Sequence, residues 1–168
     1  MQTQDTELML RAAKDDSEAF KSIFERHYLR AVNIAFRILG DRDTAEDVAM
    51  DSFAKIYETR HNYKPAAQFT TFLYKIVVNH SLNTDRKKKP VSQDPVEDLK
   101  LCADPMCDPS VQMERNDTSR AVRKAVMALP DNQRIALILV KYEDLSYESA
   151  AEVMGVSVKA LESLLHRA

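Results

Sequence analysis

The stretch that decides the fold is LSYESAAEVMGVSVKALESLLHRA, residues 145–168. Ser146 can cap a short helix that ends at Met154. Gly155 then supplies the turn, and Ser157 can cap a second helix that runs toward the end of the chain. A short helix, a glycine turn and a second helix have the spacing of a helix-turn-helix. The stretch therefore indicates a DNA-binding motif, although helix pairs with this spacing also occur in proteins that never bind DNA.

The second helix of such a motif presents its N-terminal residues to the major groove. We expect Lys159 to meet guanine or phosphate, and Glu162 to accept a hydrogen bond from a cytosine amino group. Side chains one turn later can touch the DNA backbone. The predicted duplex-binding residues are Ser157, Val158, Lys159, Glu162, Ser163, His166 and Arg167.

Two further helices are predicted upstream of the motif. The first spans 110–128 and ends at Leu129, because the residue before Pro130 avoids the helical region. Asp131 can cap the next helix, which carries an apolar run at 135–140. Together with the helix-turn-helix, these helices form a predicted C-terminal domain.

Residues 90–109 differ in composition from the sequence on either side. They hold five acids against one base and four of the six prolines, with no sustained apolar period. This composition predicts a flexible acidic linker between two helical domains, residues 1–89 and 110–168. The first domain carries a net charge of +2 and the second is neutral.

Two helices are predicted early in the N-terminal domain. Asp16 or Ser17 can cap the first, whose apolar positions recur every three and four residues until Gly40. Asp43 and Glu46 resemble a capping box at the start of the second, which runs to about residue 60. A short helix near the N-terminus, at about 7–13, is only weakly marked.

A third N-terminal helix is predicted at 68–86, after a loop at 61–67. Away from its apolar side, cations, amides and one aromatic ring fall on a single face. This polar face comprises Phe72, Lys75, Asn79, Asn83 and Arg86, with His80 beside it and Lys87, Lys88 and Lys89 continuing it. It suits a nucleic-acid strand, because lysines meet phosphates, amides read base edges and a ring stacks on an unpaired base. An ordinary solvated face explains the spacing equally well.

The second helix has an acidic outer face around a small apolar centre. Its residues are Asp47, Met50, Asp51, Ala54 and Glu58. Such a face can dock a basic protein, with methionine as an adaptable contact. The spacing alone favours an ordinary solvated face.

Composition excludes several classes of function. Two glycines in 168 residues cannot supply the Gly-rich phosphate loop of a nucleotide enzyme. No apolar run approaches the roughly 20 residues of a membrane helix. Cys102 and Cys107 make neither a disulfide scaffold nor a four-ligand zinc site. We therefore expect a soluble, cytoplasmic, all-α protein that is not an enzyme, has no metal or cofactor and does not insert into membranes. The net charge of −2 gives no overall nucleic-acid footprint.

Short stretches in a fixed order carry a family resemblance over about 15–89 and 110–168. They are DSEAF (16–20), LG (39–40), AEDV (45–48), FTTFL (69–73), ALP (128–130), LSYE (145–148) and HRA (166–168). In this order the chain resembles a bacterial RNA polymerase sigma factor of the small, two-domain extracytoplasmic-function type. The resemblance implies core RNA polymerase, promoter DNA and an anti-sigma factor as partners.

The resemblance also implies what each surface does. The second helix would dock core polymerase through Asp47, Met50, Asp51 and Lys55. The third helix and the loop before it would melt the promoter near minus ten and capture a flipped base. The residues implied there are Lys64, Phe72, Lys75, Asn79, His80, Asn83, Arg86, Lys87 and Lys88. The helix-turn-helix would bind the duplex near minus thirty-five.

Some positions depart from the family pattern. Glu162 and Leu164 stand where many members have Lys or Arg, which removes cationic contacts to DNA. Phe72 stands where a Trp is common and preserves a stacking surface. Ala168 falls inside the recognition helix, so we expect the native chain to continue.

Two other classes of protein stay open on the residues alone. A stand-alone regulator with a helical sensor domain and a helix-turn-helix would dimerise on a palindrome, but no heptad or extra dimer helix is present. A helical interaction protein with no DNA role would leave the polar face of the third helix unexplained.

Overall fold

The computed structural model describes residues 2–88 and 121–168, with side chains for 4–86 and 121–168. These residues form helices and no strand, which confirms the all-α prediction. The helices are α1 (Gln2–Ala12), α2 (Ser17–Leu39), α3 (Arg42–Glu58), α4 (Phe69–Lys88), α5 (121–128), α6 (Asp131–Leu137), α7 (Tyr147–Met154) and α8 (Val158–Arg167). The predicted linker at 90–109 and the start of the helix predicted at 110–128 lie outside the described residues.

Two short segments complete the chain trace. A 3₁₀ turn, Arg60–Asn62, follows α3, and a π-helical turn, Ile138–Tyr142, extends α6. We call α1–α4 the N-terminal half and α5–α8 the C-terminal half.

The longest helix, α2, has the caps that its sequence predicts. Of the two candidates, Asp16 is the N-cap, and its carboxylate accepts a hydrogen bond from the Ala19 N–H at 3.0 Å. Gly40 ends the helix with φ +79°, a left-handed conformation that glycine adopts without strain. Its N–H donates to the Phe36 carbonyl at 2.8 Å.

The predicted cap of α3 is wrong by two residues. Asp41, not Asp43, accepts from the Thr44 N–H, at 3.1 Å. Because Gly40 ends α2 immediately before it, Asp41 is the first residue free to take the extended conformation of an N-cap. The helix is then already formed at Ala45, which is fully buried.

The predicted cap of α6 is also wrong. Asp131 is the first helical residue, and the cap position is Pro130, which makes no side-chain cap hydrogen bond. The Asp131 carboxylate instead accepts from Nη2 of the buried Arg134, at 2.8 Å. Nη1 of the same guanidinium donates to the Met127 carbonyl at the end of α5. The carboxylate therefore holds the Arg134 side chain that connects α5 to α6.

The N-terminal helix begins at Gln2, earlier than the predicted residue 7. Its Asp5 is buried and accepts hydrogen bonds from Arg26 and from Nε2 of His27, at 3.0 Å for the latter. Burial lowers the pKa of His27, and the attraction of Asp5 offsets only part of this effect. The neutral imidazole thus joins α1 to α2.

Both halves contribute to one continuous hydrophobic core. In the N-terminal half α2 packs against α1, α3 and α4, with an aromatic cluster of Phe20, Phe24 and Phe53 between α2 and α3. In the C-terminal half α8 packs on α6 and α7. The halves meet where α7 lies on α4 and where α6 and the π turn reach α2. None of the described helices is long and apolar enough to cross a membrane.

The lowered pKa of His27 predicts acid sensitivity. Below about pH 6.5, the ordinary histidine value, the unfolded chain takes up a proton that the folded chain refuses. The contribution of His27 to stability is therefore complete above that pH, and it is lost as the pH falls toward the folded-state pKa of His27. Replacement His27→Gln should flatten the pH dependence of the free energy of unfolding below about pH 6.5. Urea unfolding at stepped pH measures this, and parallel pH curves for the two proteins would contradict it.

Candidate nucleic-acid interface

One side of α4 is exposed over nearly its whole described length. Lys75, Asn79, Asn83 and Arg86 lie there, three or four residues apart, all exposed to solvent. The opposite side packs inward and is buried. It comprises Phe69, Leu73, Tyr74, Val77, Val78 and Ser81. Buried packing on one side thus fixes the polar face on the other, while the side chains of Lys87 and Lys88 lie outside the described ones.

Phe72 lies at the edge of this polar face and is only half-exposed. Its ring centroid is 5.3 Å from that of Tyr63 and 6.3 Å from that of Phe69. The ring is therefore held in one orientation by an aromatic cluster, with part of its surface left open. Lys64 is exposed on the segment that enters α4.

His80 is half-buried and points to α3 rather than standing free on the polar face. Its Nδ1 lies 3.2 Å from the Ser52 hydroxyl oxygen, and that hydroxyl donates to the Val48 carbonyl at 2.7 Å. Since a serine hydroxyl has one proton, Nδ1–H of His80 must donate to Ser52. The imidazole is thereby oriented and connects α4 to α3.

The acidic outer face of α3 is solvent-exposed, as the spacing predicts. Asp47, Met50, Asp51 and Lys55 are all exposed, and Met50 retains half of its accessible surface. Lys55 forms only a loose ion pair with Glu58, at 3.7 Å between Nζ and Oε2. The inward side of α3 holds the face rigidly through buried residues. They are Ala45, Val48, Ala49, Ser52, Phe53 and Ile56.

The helix-turn-helix forms as predicted. The Ser146 and Ser157 hydroxyls cap α7 and α8 by accepting from the N–H groups of Ser149 and Ala160, each at 3.2 Å. Gly155 makes the turn with φ +66°. Leu161 of α8 is fully buried in the core.

The predicted duplex-binding residues of α8 do not share one environment. Lys159, Glu162 and His166 are exposed, whereas Val158 is half-buried and packs against the core. Ser163 is also half-buried, and its hydroxyl and carbonyl oxygens accept hydrogen bonds from Arg167. Arg167 therefore folds back on its own helix, while Lys159 and Glu162 face solvent near the helix start.

Sequence reasoning missed a charged cluster between the two halves. Glu143 is buried, and Arg30, Arg37 and Tyr74 surround its carboxylate. The partners lie between 69 and 113 residues away along the chain. No local pattern marks such a contact. The sequence offers one weak signal, a carboxylate three residues after the apolar run at 135–140.

A group of three or more metal-ligating side chains is not found within residues 2–88 and 121–168. Cys102 and Cys107 lie outside those ranges.

Two protein-family models match the chain one after the other. The model for Sigma-70 region 2 matches residues 23–90, which carry the faces of α3 and α4. The model for Sigma-70, region 4, matches residues 119–168, which carry the helix-turn-helix. The fold and these two matches define a class, the helical transcription initiation proteins built from sigma-70 regions.

Relatives agree with the two family models. The chain is 30% identical over 175 residues to the RNA polymerase sigma-H factor of Pseudomonas aeruginosa, covering 99% of this chain and 91% of that one. It is 25% identical to the ECF RNA polymerase sigma factor SigW of Bacillus subtilis, covering 92% and 87%. The chain belongs to the sigma-70 family of RNA polymerase sigma factors and is of the extracytoplasmic-function type. A stand-alone regulator is not favoured, because the N-terminal match to Sigma-70 region 2 is a match to a sigma-factor domain and not to a sensor domain.

Solved structures share the fold. One contains CnrH in complex with the cytosolic domain of CnrY, with a TM-score of 0.74 at 22% identity over 98% of this chain and 91% of that one. Another contains the sigma factor RpoE with the anti-sigma factor NepR from Bartonella quintana, with a TM-score of 0.68 at 21% identity over 88% and 90%.

We expect the N-cap at Ser157 to stabilise α8. Replacement Ser157→Ala should lower the free energy of unfolding by about 1 kcal/mol, because an N-terminal N–H loses its acceptor. Ser157→Asp should keep the wild-type value, since a carboxylate caps equally well and also favours the positive end of the helix dipole. Urea unfolding of both variants checks this. Equal losses in the two would show that the cap does not stabilise α8.

Proposed function

We propose that this sigma factor docks on core RNA polymerase through α3, opens the promoter near minus ten with α4, and holds the duplex near minus thirty-five with α8. The observation that carries the proposal is the exposed polar side of α4, backed along its length by buried residues. A rigid helix with one polar side can follow a single strand while its other side stays anchored.

The minus-ten surface combines the contacts that a melted strand needs. Lys75 and Arg86 supply positive charge for phosphates, and Asn79 and Asn83 supply amides for base edges. Phe72 offers part of its ring for stacking with an unpaired base. Capture of such a base offsets part of the few kcal/mol that unstacking costs, so strand separation needs no nucleotide hydrolysis.

The docking surface is the acidic face of α3. Asp47 and Asp51 give it negative charge, and the exposed Met50 gives it an adaptable apolar centre. A basic surface of core polymerase complements this face. The hydrogen bond from His80 to Ser52 holds α3 and α4 in a fixed relation. Docking through α3 therefore also orients the polar face of α4.

The minus-thirty-five surface is the start of α8. Lys159 and Glu162 are exposed where the recognition helix of this motif enters the major groove. One cation and one anion bind phosphate weakly, so this surface depends on its connection to the rest of the holoenzyme. We place the domains at 1–89 and 110–168, with 90–109 as the tether that raises the effective concentration of the second contact.

The remaining roles follow from this division of work. The protein does no covalent chemistry itself and leaves RNA synthesis to the polymerase, so it requires neither metal nor cofactor. It works in the cytoplasm, where promoters and polymerase are. An anti-sigma factor is the regulatory partner, because NepR, in a complex with a sigma factor of this fold, is an anti-sigma factor.

The melting surface can be tested by removing two contacts. The double variant Lys75→Ala and Asn79→Ala should slow open-complex formation at least tenfold, which corresponds to about 1.4 kcal/mol of transition-state stabilisation. Permanganate footprinting of the melted strand with the reconstituted holoenzyme measures this rate. An unchanged rate, with unchanged affinity for core polymerase, would remove this face from the proposal.

The docking surface can be tested by charge reversal. Asp47→Lys with Asp51→Lys should weaken binding to core polymerase at least tenfold, because complementary charges become repulsive. The matched control is Glu18→Lys with Glu25→Lys, two exposed acids on α2 that receive the same change in charge. Titration of core polymerase with labelled protein gives the affinities. Equal weakening by both pairs would indicate a general charge effect and contradict docking through α3.

A further inference from the structure

A charged contact joins the turn after α1 to the start of the loop at 59–68, between α3 and α4. Oδ1 of Asp15 accepts hydrogen bonds from Nη2 of Arg60 and, at 3.2 Å, from its Nε. Nδ1 of His61 lies 2.9 Å from the Ala13 carbonyl oxygen, and because a carbonyl only accepts, Nδ1 carries the donated proton. Nε2 of His61 lies 3.5 Å from the same Asp15 oxygen. We call Asp15, Arg60 and His61 the clamp.

Asp15 stands at a backbone position that favours glycine. The N–H of Asp16 donates to the Arg11 carbonyl at 3.2 Å. The N–H of Asp15 donates to the Ala12 carbonyl at 3.1 Å, and the two bonds together form the Schellman pattern of a helix end. This pattern requires a left-handed residue, and Asp15 has φ +66°, whereas Gly40 fills the left-handed position after α2. An aspartate is more strained there than a glycine, so the turn alone does not explain the carboxylate.

The Arg60 side chain is also held by α3. Only 16% of it is exposed. Its Nη1 donates to the Tyr57 carbonyl at 2.8 Å, and its guanidinium carbon lies 4.1 Å from the centre of the Tyr57 ring. The hydrogen bond from Arg60 holds the pKa of the Asp15 carboxyl below its ordinary value. Because an exposed ion pair adds little stability, the main effect of this well-oriented pair is to fix the position of the loop start.

The clamp continues into the part of the loop that carries minus-ten residues. The Tyr63 N–H donates to the Arg60 carbonyl at 3.1 Å and closes the 3₁₀ turn. The Tyr63 ring then lies 5.3 Å from the Phe72 ring, and Lys64 follows directly and is exposed. Displacing Arg60 therefore displaces both the backbone that presents Lys64 and the ring that orients Phe72.

The rest of the loop is weakly held. Its residues 64–66 and 68 are exposed, and a backbone hydrogen bond within it runs from the Ala66 N–H to the Lys64 carbonyl at 2.8 Å. Segments with exposed backbone and few buried contacts move at a low cost in free energy. The position of the loop thus depends on its two ends, which are the buried start of α4 at Phe69 and the clamp.

We propose that the clamp positions the loop for base capture. It holds the loop start so that Lys64 and Phe72 meet the melted minus-ten strand together. The clamp residues act through the loop and not by touching DNA. Such preorganisation raises affinity and selectivity, because a loop already in place need not be ordered when the base enters. The positioning role rests on the proposed function, whereas the clamp itself does not.

Replacement Asp15→Gly removes the carboxylate and suits the turn. Glycine relieves the left-handed strain but loses more conformational freedom on folding, so the free energy of unfolding should stay close to the wild-type value. The matched control is Asp144→Gly in the C-terminal half. Asp144 is exposed and has φ +51°, so this variant makes the same change in charge and in backbone freedom. Urea unfolding compares the stability of the two variants.

Loop mobility is measured by spin labelling of the full chain. A nitroxide at Ala66→Cys, after Cys102→Ser and Cys107→Ser, reports on the exposed middle of the loop. Asp15→Gly should shorten the correlation time of the label by about twofold, and His61→Ala should act in the same direction. The matched control should leave the spectrum unchanged. Equal spectra for the wild type and both clamp variants would overturn the clamp, whatever the protein does in transcription.

Base capture is measured with the reconstituted holoenzyme. The probe is a pool of fork DNAs whose single-stranded minus-ten segment is randomised. The wild-type holoenzyme should enrich preferred sequences, and Asp15→Gly should reduce that enrichment roughly fivefold, because the loop must then be ordered during binding. Affinity for core polymerase should not change, since the acidic face of α3 is intact. A loss of selectivity without a loss of stability or core binding is not expected of a merely structural residue.

The outcomes separate the claims. A more mobile loop with unchanged selection would overturn the positioning role. Equal loss of selection in Asp15→Gly and Asp144→Gly would also overturn it, because a general effect of charge would then explain the result. If the wild-type holoenzyme selects no sequence, the proposed function fails and the positioning role with it, while the spectra still decide whether the clamp holds the loop.

Discussion

The burial of α2 is the constraint on which the rest of the structure depends. This helix contacts α1, α3 and α4, and it also reaches α6 and the π turn of the other half. A helix enclosed on several sides needs apolar residues well beyond one stripe, and α2 has them from Ala19 to Ile38. Once α2 is enclosed, α3 and α4 must turn their apolar sides toward it. The acidic face of α3 and the polar face of α4 are therefore exposed as a consequence of core packing, and not because of any local preference of those helices.

Polar groups that α2 carries into contact with its neighbours are all compensated. His27 remains neutral and pairs with Asp5 of α1, and Arg30 and Arg37 pair with Glu143 of the C-terminal half. Burying an unpaired charge would cost several kcal/mol, so each pair specifies its partner more than it adds net stability. The two pairings differ in one respect. Asp5 belongs to the helix next to α2 in the chain, whereas Glu143 lies on the far side of residues 89–120. The first pairing completes one half, and the second determines how the halves meet.

The sequence predicted the features that depend on local chemistry. Gly40, Gly155, Ser146 and Ser157 end or cap helices as expected, because these residue types act within a few positions of themselves. The caps at Asp43 and Asp131 were predicted wrongly: Asp41, two residues earlier, caps α3, and the Asp131 carboxylate accepts from Arg134 instead of capping α6. The exposure of Lys75, Asn79 and Asp47 followed from helical periodicity, whereas the roles proposed for them rest on the family resemblance. The Glu143 cluster and the contact of His80 with Ser52 form between helices that only the complete fold brings together. Helical periodicity describes one helix at a time and does not predict such contacts.

The wide separation of Glu143 from its partners has a consequence for biosynthesis. Glu143 follows Arg30 by 113 residues. At about 5–20 residues per second, the ribosome therefore adds Glu143 roughly 6–23 s after Arg30. During that interval α1–α4 can pack through contacts among themselves, with the arginines of α2 still hydrated. The arginines of α2 thus meet their carboxylate partner only after the whole N-terminal half has been synthesised.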